Sequence, residues 1–225
     1  MRSRHRFIAE RAIFSLLDLT RVNRVLCIGA HSDDIEIGCG GTILRLATEC
    51  PDLHVRWEVF SATGQREQEA RDSAAAFMQG AAKSEIHIHH FRDAFFPSEA
   101  AAIKEAFETL KTFDPQLILT HHRDDLHQDH RLLGELTWNT FRRHAILEYE
   151  IPKYDGDLGQ PNVFMPLDEA TCNRKVDLLI ANFPSQKDKQ WFDPATFRAI
   201  LRLRGVECAA PAGWAEGFCA RKLRW

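Results

Sequence analysis

A chain of 225 residues with 44% hydrophobic side chains can bury a substantial core, and 27% charged residues is ordinary for a globular protein. Its formal net charge of -3 argues against a general nucleic-acid binder, which needs a clustered basic excess to neutralise phosphates. Behind a basic start, the run Ile13-Phe14-Ser15-Leu16-Leu17 is broken by Asp18, too short for a signal-peptide core or a membrane span. Six cysteines (Cys27, Cys39, Cys50, Cys172, Cys208, Cys219) without CxxC pairing read as reduced thiols, and so as a cytoplasmic protein.

Phe7 to Leu19 has helical apolar spacing and is expected to pack outside a sheet. Arg24 to Ala30 is the first expected strand and Val55 to Ser61 the second, with a helix from Thr42 to about Thr48 between them. A helix follows over Glu67 to Met78, stopped at Gly80. Glu85 to Phe91 reads as a third strand, and Ser98 as the N-cap of a helix over Ala100 to Lys111. Gln116 to Thr120 is a fourth strand, and Gln128 to Arg142 a helix. Ile146 to Ile151 and Val163 to Pro166 read as short strands, and Asp168 to Asn182 and Pro194 to Arg204 as helices. Such alternation predicts an α/β fold: a doubly wound, mostly parallel sheet with helices on both faces, in one domain over residues 1–225.

Two polar clusters begin where apolar strands end. The first is His31-Ser32-Asp33-Asp34-Ile35-Glu36, followed by Gly38-Cys39-Gly40-Gly41-Thr42. The second is His121-His122-Arg123-Asp124-Asp125-Leu126-His127-Gln128-Asp129-His130. Imidazoles and carboxylates crowded at the C-terminal ends of two strands suit a split divalent-metal site in the crevice of an open α/β sheet. Neither cluster has a ligand-like cysteine pattern, which favours an open catalytic site over a closed structural one. His127 and His130 are three apart and can share a helix face, and Asp129 can fix the tautomer of a neighbouring imidazole.

Ala30-His31-Ser32-Asp33-Asp34-Ile35-Glu36 resembles the AHPDDE signature of the PIG-L/LmbE-like N-deacetylases. Asp125-Leu126-His127-Gln128-Asp129-His130 is similar to that family's D-x-H-x-D-H motif, and Gly38 to Thr42 matches its GCGGT. Ser32 and Ile35 depart from the signature without removing a ligand. The resemblance covers most of the first 140 residues. It implies a Rossmann-like fold and zinc-dependent removal of an acetyl group from an amino sugar or its conjugate. It also implies His31, Asp34 and His130 as ligands of one Zn2+ per chain, with another divalent metal left open. Asp33 would be the general base, and His127 the oxyanion stabiliser or acid, its charge state set by Asp129. The expected partner is a small N-acetylated amino sugar or conjugate, with no nucleic acid, no transmembrane segment and homo-oligomerisation left open. The alternatives are a metal-dependent amidase of a thiol or lipid conjugate, or a noncatalytic sugar- or nucleotide-binding module. Asp33 and His127 speak for catalysis, since neither is needed to hold the metal.

The other polar residues read more plainly. His87, His89 and His90 read as surface or packing histidines, His121 and His122 as structural, and Glu36 as a cap of the turn. Arg66 and Arg71 read as solvated arginines on an alanine-rich helix, Cys39 as a small apolar residue, and the glycines as sites of close helix packing. The segment after 146 contains no histidine. It is expected to close one side of the crevice through a Tyr154–Pro161 loop whose tip, Asp155 to Gly159, is separable from the metal site.

Overall fold

The computed structural model describes residues 22–222, so the helix expected over 7–19 lies outside the described residues. Among the described residues seven strands form one sheet in the order β3-β2-β1-β4-β5-β7-β6. They are β1 (Arg24–His31), β2 (His54–Ser61), β3 (Lys83–Ile88), β4 (Leu117–His121), β5 (Ala145–Tyr149), β6 (Val163–Leu167) and β7 (Trp214–Cys219). The first five are parallel, whereas β7 runs antiparallel between β5 and β6. Among the described residues six α-helices connect them: α1 (Asp34–Glu49), α2 (Gln65–Phe77), α3 (Ala100–Leu110), α4 (Gln128–Thr140), α5 (Glu169–Asn182) and α6 (Pro194–Glu207).

Alternation along the strands assigns side chains to two cores. Val25 and Cys27 point to the layer with Phe77 of α2, Val176 of α5 and Phe197 of α6. Leu26 and Ile28 point to the other, against Phe107 of α3 and Leu133 of α4. Asp168 caps α5 by accepting the Thr171 amide at 2.7 Å, and Asp193 caps α6 ahead of Pro194. Ser98 does not cap α3: its hydroxyl donates to the Phe95 carbonyl inside a 3-10 turn over Phe96–Glu99, and Glu99 stands at the cap position.

The largest departure is α1, expected from Thr42 and observed from Asp34. The glycine run therefore lies inside the helix. A Cβ at Gly38 would sit 2.2 Å from the Tyr149 ring, and one at Gly41 would meet Leu167 and Glu216. Close packing, not turn formation, requires these glycines. The helix breaks at Cys39 (φ -145, ψ 15), and a buried ion pair repairs the break. Glu216 of β7 accepts the Gly41 and Thr42 amides, each at 2.7 Å, and the Thr42 hydroxyl. Lys175 of α5 donates to Glu216 at 2.6 Å and to the Ile37 carbonyl at 2.7 Å. The orphaned donors and acceptor of a broken helix thus meet one anion and one cation. Strand β7 has no counterpart among the sequence expectations.

Candidate metal and catalytic site

The strand order reverses between β1 and β4, so their C-terminal ends open one crevice. The first polar cluster leaves β1 into α1, and the second leaves β4 into α4. A cavity of about 360 Å³ lies between them, lined on one side by His31, Asp33, Asp34, His127 and His130.

Three donor atoms converge in it. His31 Nδ1 lies 3.3 Å from Asp34 Oδ2 and 3.2 Å from His130 Nε2, and His130 Nε2 lies 3.4 Å from Asp34 Oδ2. A tetrahedral ion with ligand bonds of 2.0–2.1 Å spaces its donors about 3.3 Å apart, so the triangle has the size such an ion needs. Charge agrees with geometry. Burial would push Asp34 up, but His130, His121 and His31 hold its carboxyl well below the usual range. Burial would push His31 down, but Asp34, Asp129 and Asp93 hold the imidazole well above its ordinary value. The adjacent buried carboxylates of Asp33 and Asp34 repel one another and call for positive charge.

Neighbours orient the three donors. His130 Nδ1 faces Asp125 Oδ2 at 3.0 Å, which leaves Nε2 as the donor atom turned to the triangle. Burial alone would raise Asp125, yet its hydrogen bond with His130 and the charges of His130, His121 and Lys153 keep it far below an ordinary carboxylate. His31 Nε2 lies 3.1 Å from Asp93 and 3.4 Å from Asp129, close enough for charge attraction though not aligned as a hydrogen bond. His121 is fully buried and stacked on His130, ring centroids 4.0 Å apart. Its Nε2 accepts the Ala30 amide at 2.9 Å, so that lone pair is taken. Burial, reinforced by His130, lowers its pKa to about 4 and keeps it neutral.

Asp33 and His127 stand beside the triangle. Asp33 Oδ1 accepts from Arg66 at 2.9 Å, while Oδ2 has no hydrogen-bond partner among the described residues. Burial raises the Asp33 carboxyl against the pull of Arg66. His127 caps α4, its Nδ1 accepting the Asp129 amide at 3.3 Å. A neutral imidazole that accepts at Nδ1 carries its proton on Nε2, which makes that atom a hydrogen-bond donor. Burial, then the nearby His130 and His31, lowers the His127 pKa. Asp129 thus reaches His127 through its backbone. Its carboxylate instead accepts the Ala94 amide at 2.7 Å and the Phe96 amide at 3.1 Å, holding a turn in which Ala94 is left-handed (φ 65). The carboxylate charge opposes the fall in the His127 pKa, as expected, and also lies towards His31.

Arg66 is not a solvated arginine: it lines the cavity and bonds Ser32 as well as Asp33. Arg71 does stay on the helix face, paired with Glu67. Glu36 does not cap the turn: it is buried inside α1 beside Ser73, and burial pushes its carboxyl well above the ordinary value. His89 and His90 pair with Glu58 and Glu67 away from the cavity. Asp93, Asp125, Lys153, Lys189 and Trp191 are site or cavity-lining residues that the sequence reading did not assign. Asp125 had a signal, its place in the second motif. Lys153 and Lys189 had none, lying in the tail far from either motif.

The loop of residues 150–162 lines the cavity through Ile151, Lys153, Tyr154 and Asp155. Its tip is not separable from the metal cluster, however. Asp157 accepts the Leu126 amide at 2.7 Å and holds Lys153, whose Nζ lies 3.1 Å from Asp125. The loop's buried charges reach His130 through Asp125, so deleting 155–159 would remove part of the scaffold.

Among the described residues no helix is long and apolar enough to cross a membrane. The family described as PIG-L, GlcNAc-PI de-N-acetylase, matches residues 26–141, just over half of the chain. The chain is similar in structure to N,N'-diacetylchitobiose deacetylase from Pyrococcus horikoshii at 20% identity and a TM-score of 0.69, covering 90% of this chain and 85% of that one. It is also similar to the A40926 pseudoaglycone deacetylase Dbv21 (18% identity, TM-score 0.66, 90% and 99% covered). A third similar structure is GalB, the 4-carboxy-2-hydroxymuconate hydratase from Pseudomonas putida KT2440 (15% identity, TM-score 0.71, 90% and 98% covered). Such distant likenesses establish the Rossmann-like fold, which hosts more than one chemistry. With the family profile spanning both motifs, and those motifs closing on one His/Asp cluster, the chain belongs to the PIG-L family and is a metal-dependent N-deacetylase.

Proposed function

We propose that the protein hydrolyses the N-acetyl group of an amino sugar or amino-sugar conjugate at a single zinc ion held by His31, Asp34 and His130. The observation that carries this reading is the triangle of donor atoms, 3.2–3.4 Å on each side, at the strand-order reversal. When bound, zinc would polarise the amide carbonyl and lower the pKa of water to ~7. The remaining work falls to the chain's own side chains. Asp33, with Oδ2 unpartnered and its carboxyl raised by burial, takes the proton that water gives up. His127, with its proton on Nε2, donates a hydrogen bond to the developing oxyanion, and the proton taken up by Asp33 passes on to the leaving nitrogen. Asp129 fixes the His127 tautomer through its amide and steers His31 through its carboxylate.

The cavity supports a polar substrate with a larger acceptor. Arg66 and Asp93 flank the metal triangle and can hold sugar hydroxyls, while Tyr154 and Trp191 offer aromatic faces at the mouth. In this reading the chain works as one domain, because β6, β7 and the 150–162 loop complete both the sheet and the cavity wall. Six free cysteines support a reducing, cytoplasmic setting. The test is elemental analysis of dialysed protein: the wild type should hold one zinc per chain and His130→Ala should lose most of it. A wild type without metal would overturn the proposal.

A further inference from the structure

The 150–162 loop carries a buried lysine beside an open cavity. The Lys153 side chain is 9% exposed, although an ammonium at a cavity wall can ordinarily turn to water. Instead it bonds both oxygens of Asp157, at 2.6 and 2.5 Å, and lies 3.1 Å from Asp125 Oδ1. Asp157 Oδ2 also accepts the amide of Leu126, the residue that follows Asp125. Asp125 spends its Oδ1 on the His127 amide at 2.8 Å and its Oδ2 on His130 Nδ1 at 3.0 Å. One chain of contacts therefore runs from the cavity loop to the imidazole placed on the metal: Asp157, Lys153, Asp125, His130. The same Asp125 carboxylate also holds the backbone that presents His127.

We propose that Lys153 is a positioning residue that ties the substrate-side loop to the metal site, so that the seating of His130 depends on the tail of the chain. This rests on the metal-site reading above. Lys153 and Asp157 lie beyond residues 26–141, so the family match does not include them. The physical case is one of charge and reach. Asp125 is buried, and a buried carboxylate shared between an imidazole and an ammonium is held in one orientation from two sides. Without the ammonium, Asp125 keeps its hydrogen bonds to His130 and to the His127 amide but loses the positive charge that holds it against the loop. The loop then loses its anchor as well. Partners that orient a metal ligand typically change metal affinity 10–100-fold when removed.

The test is zinc affinity by competition with a chromophoric chelator, set beside thermal unfolding of the metal-free protein, for wild type, Lys153→Met, Lys153→Arg and Asp157→Asn. Lys153→Met should bind zinc at least 10-fold more weakly. Lys153→Arg should recover most of that loss, because a guanidinium can bridge the two carboxylates. Asp157→Asn, three contacts away from His130, should weaken zinc in the same direction by a smaller factor. Its amide oxygen can still accept from Leu126, so it decides the matter should Lys153→Met fail to fold. Zinc affinities within twofold of wild type in Lys153→Met, or in Asp157→Asn if that variant has to stand in, overturn the inference while leaving the deacetylase reading intact. A wild type that holds no zinc overturns both.

Discussion

Replacing Lys175 by methionine gives a sharp test of how α1, and with it the metal turn, is held. The lysine is buried, paired with Glu216 at 2.6 Å, and bonded to the Ile37 carbonyl. Removing one partner of a buried pair strands the other charge and costs about 3–5 kcal/mol. For a chain of this size each kcal/mol moves the melting temperature by about 2–4 °C, so the loss should be roughly 6–20 °C. The informative comparison is the double variant Lys175→Met/Glu216→Leu. An ordinary buried ion pair can be exchanged for apolar side chains at little cost. Glu216, however, also accepts the Gly41 amide, the Thr42 amide and the Thr42 hydroxyl at the break in α1. Each of those donors left buried and unpaired costs about 1–3 kcal/mol. The double variant should therefore be no more stable than the single one. Circular dichroism melts of the metal-free proteins measure this, and a double variant that regains the wild-type melting temperature refutes the reasoning.

Asp33→Asn keeps the size of the side chain but is a far poorer base, so turnover should fall ~10²–10⁴-fold while zinc content stays at one per chain. Turnover within a few-fold of wild type would remove Asp33 from the role of base. Acid stability of the metal-free protein should respond to His121, whose pKa is lowered to about 4 by burial and the neighbouring His130. An unfolded imidazole titrates near 6.5, so between those values the unfolded chain binds the extra proton. Stability from this group is thus present above pH 6.5 and lost as pH falls towards 4. Urea midpoints at several pH values should fall less steeply in that window for His121→Asn than for wild type. An equal slope would show that His121 is not the group responsible.

Much of the site was legible because its residues are local in sequence. His31, Asp33 and Asp34 share one turn, and Asp125, His127, Asp129 and His130 share another. Strand ends could be read from the apolar runs before them, and the strand-order reversal then follows from β1 and β4 lying side by side. Long-range partners were not legible. Glu216 reaches Thr42 across 174 residues, and no local pattern announces it. The start of α1 was misplaced because glycines ordinarily weaken helices, whereas here Tyr149, Phe77 and Glu216 need the space that Gly38, Gly40 and Gly41 leave. Strand β7, Trp-Ala-Glu-Gly-Phe-Cys, was missed because glycine and glutamate interrupt its apolar pattern. Gly217 leaves room for Pro161, and Glu216 points inward to an ion pair instead of outward to water. Asp129 acts on His127, as its spacing along α4 suggests, through its amide and its charge, and only the fold brings its carboxylate to His31 as well.

The central claim is that this cluster removes acetyl groups by metal-assisted hydrolysis, and acetate release tests it most directly. A panel of N-acetylated amino sugars, free, phosphorylated, nucleotide-linked and glycosidically conjugated, should include at least one that yields acetate and free amine in equal amounts. Release should stop after a chelator strips the protein and return on adding zinc. Acetate release that persists in the stripped protein, or its absence across the panel from protein holding one zinc per chain, would contradict the account.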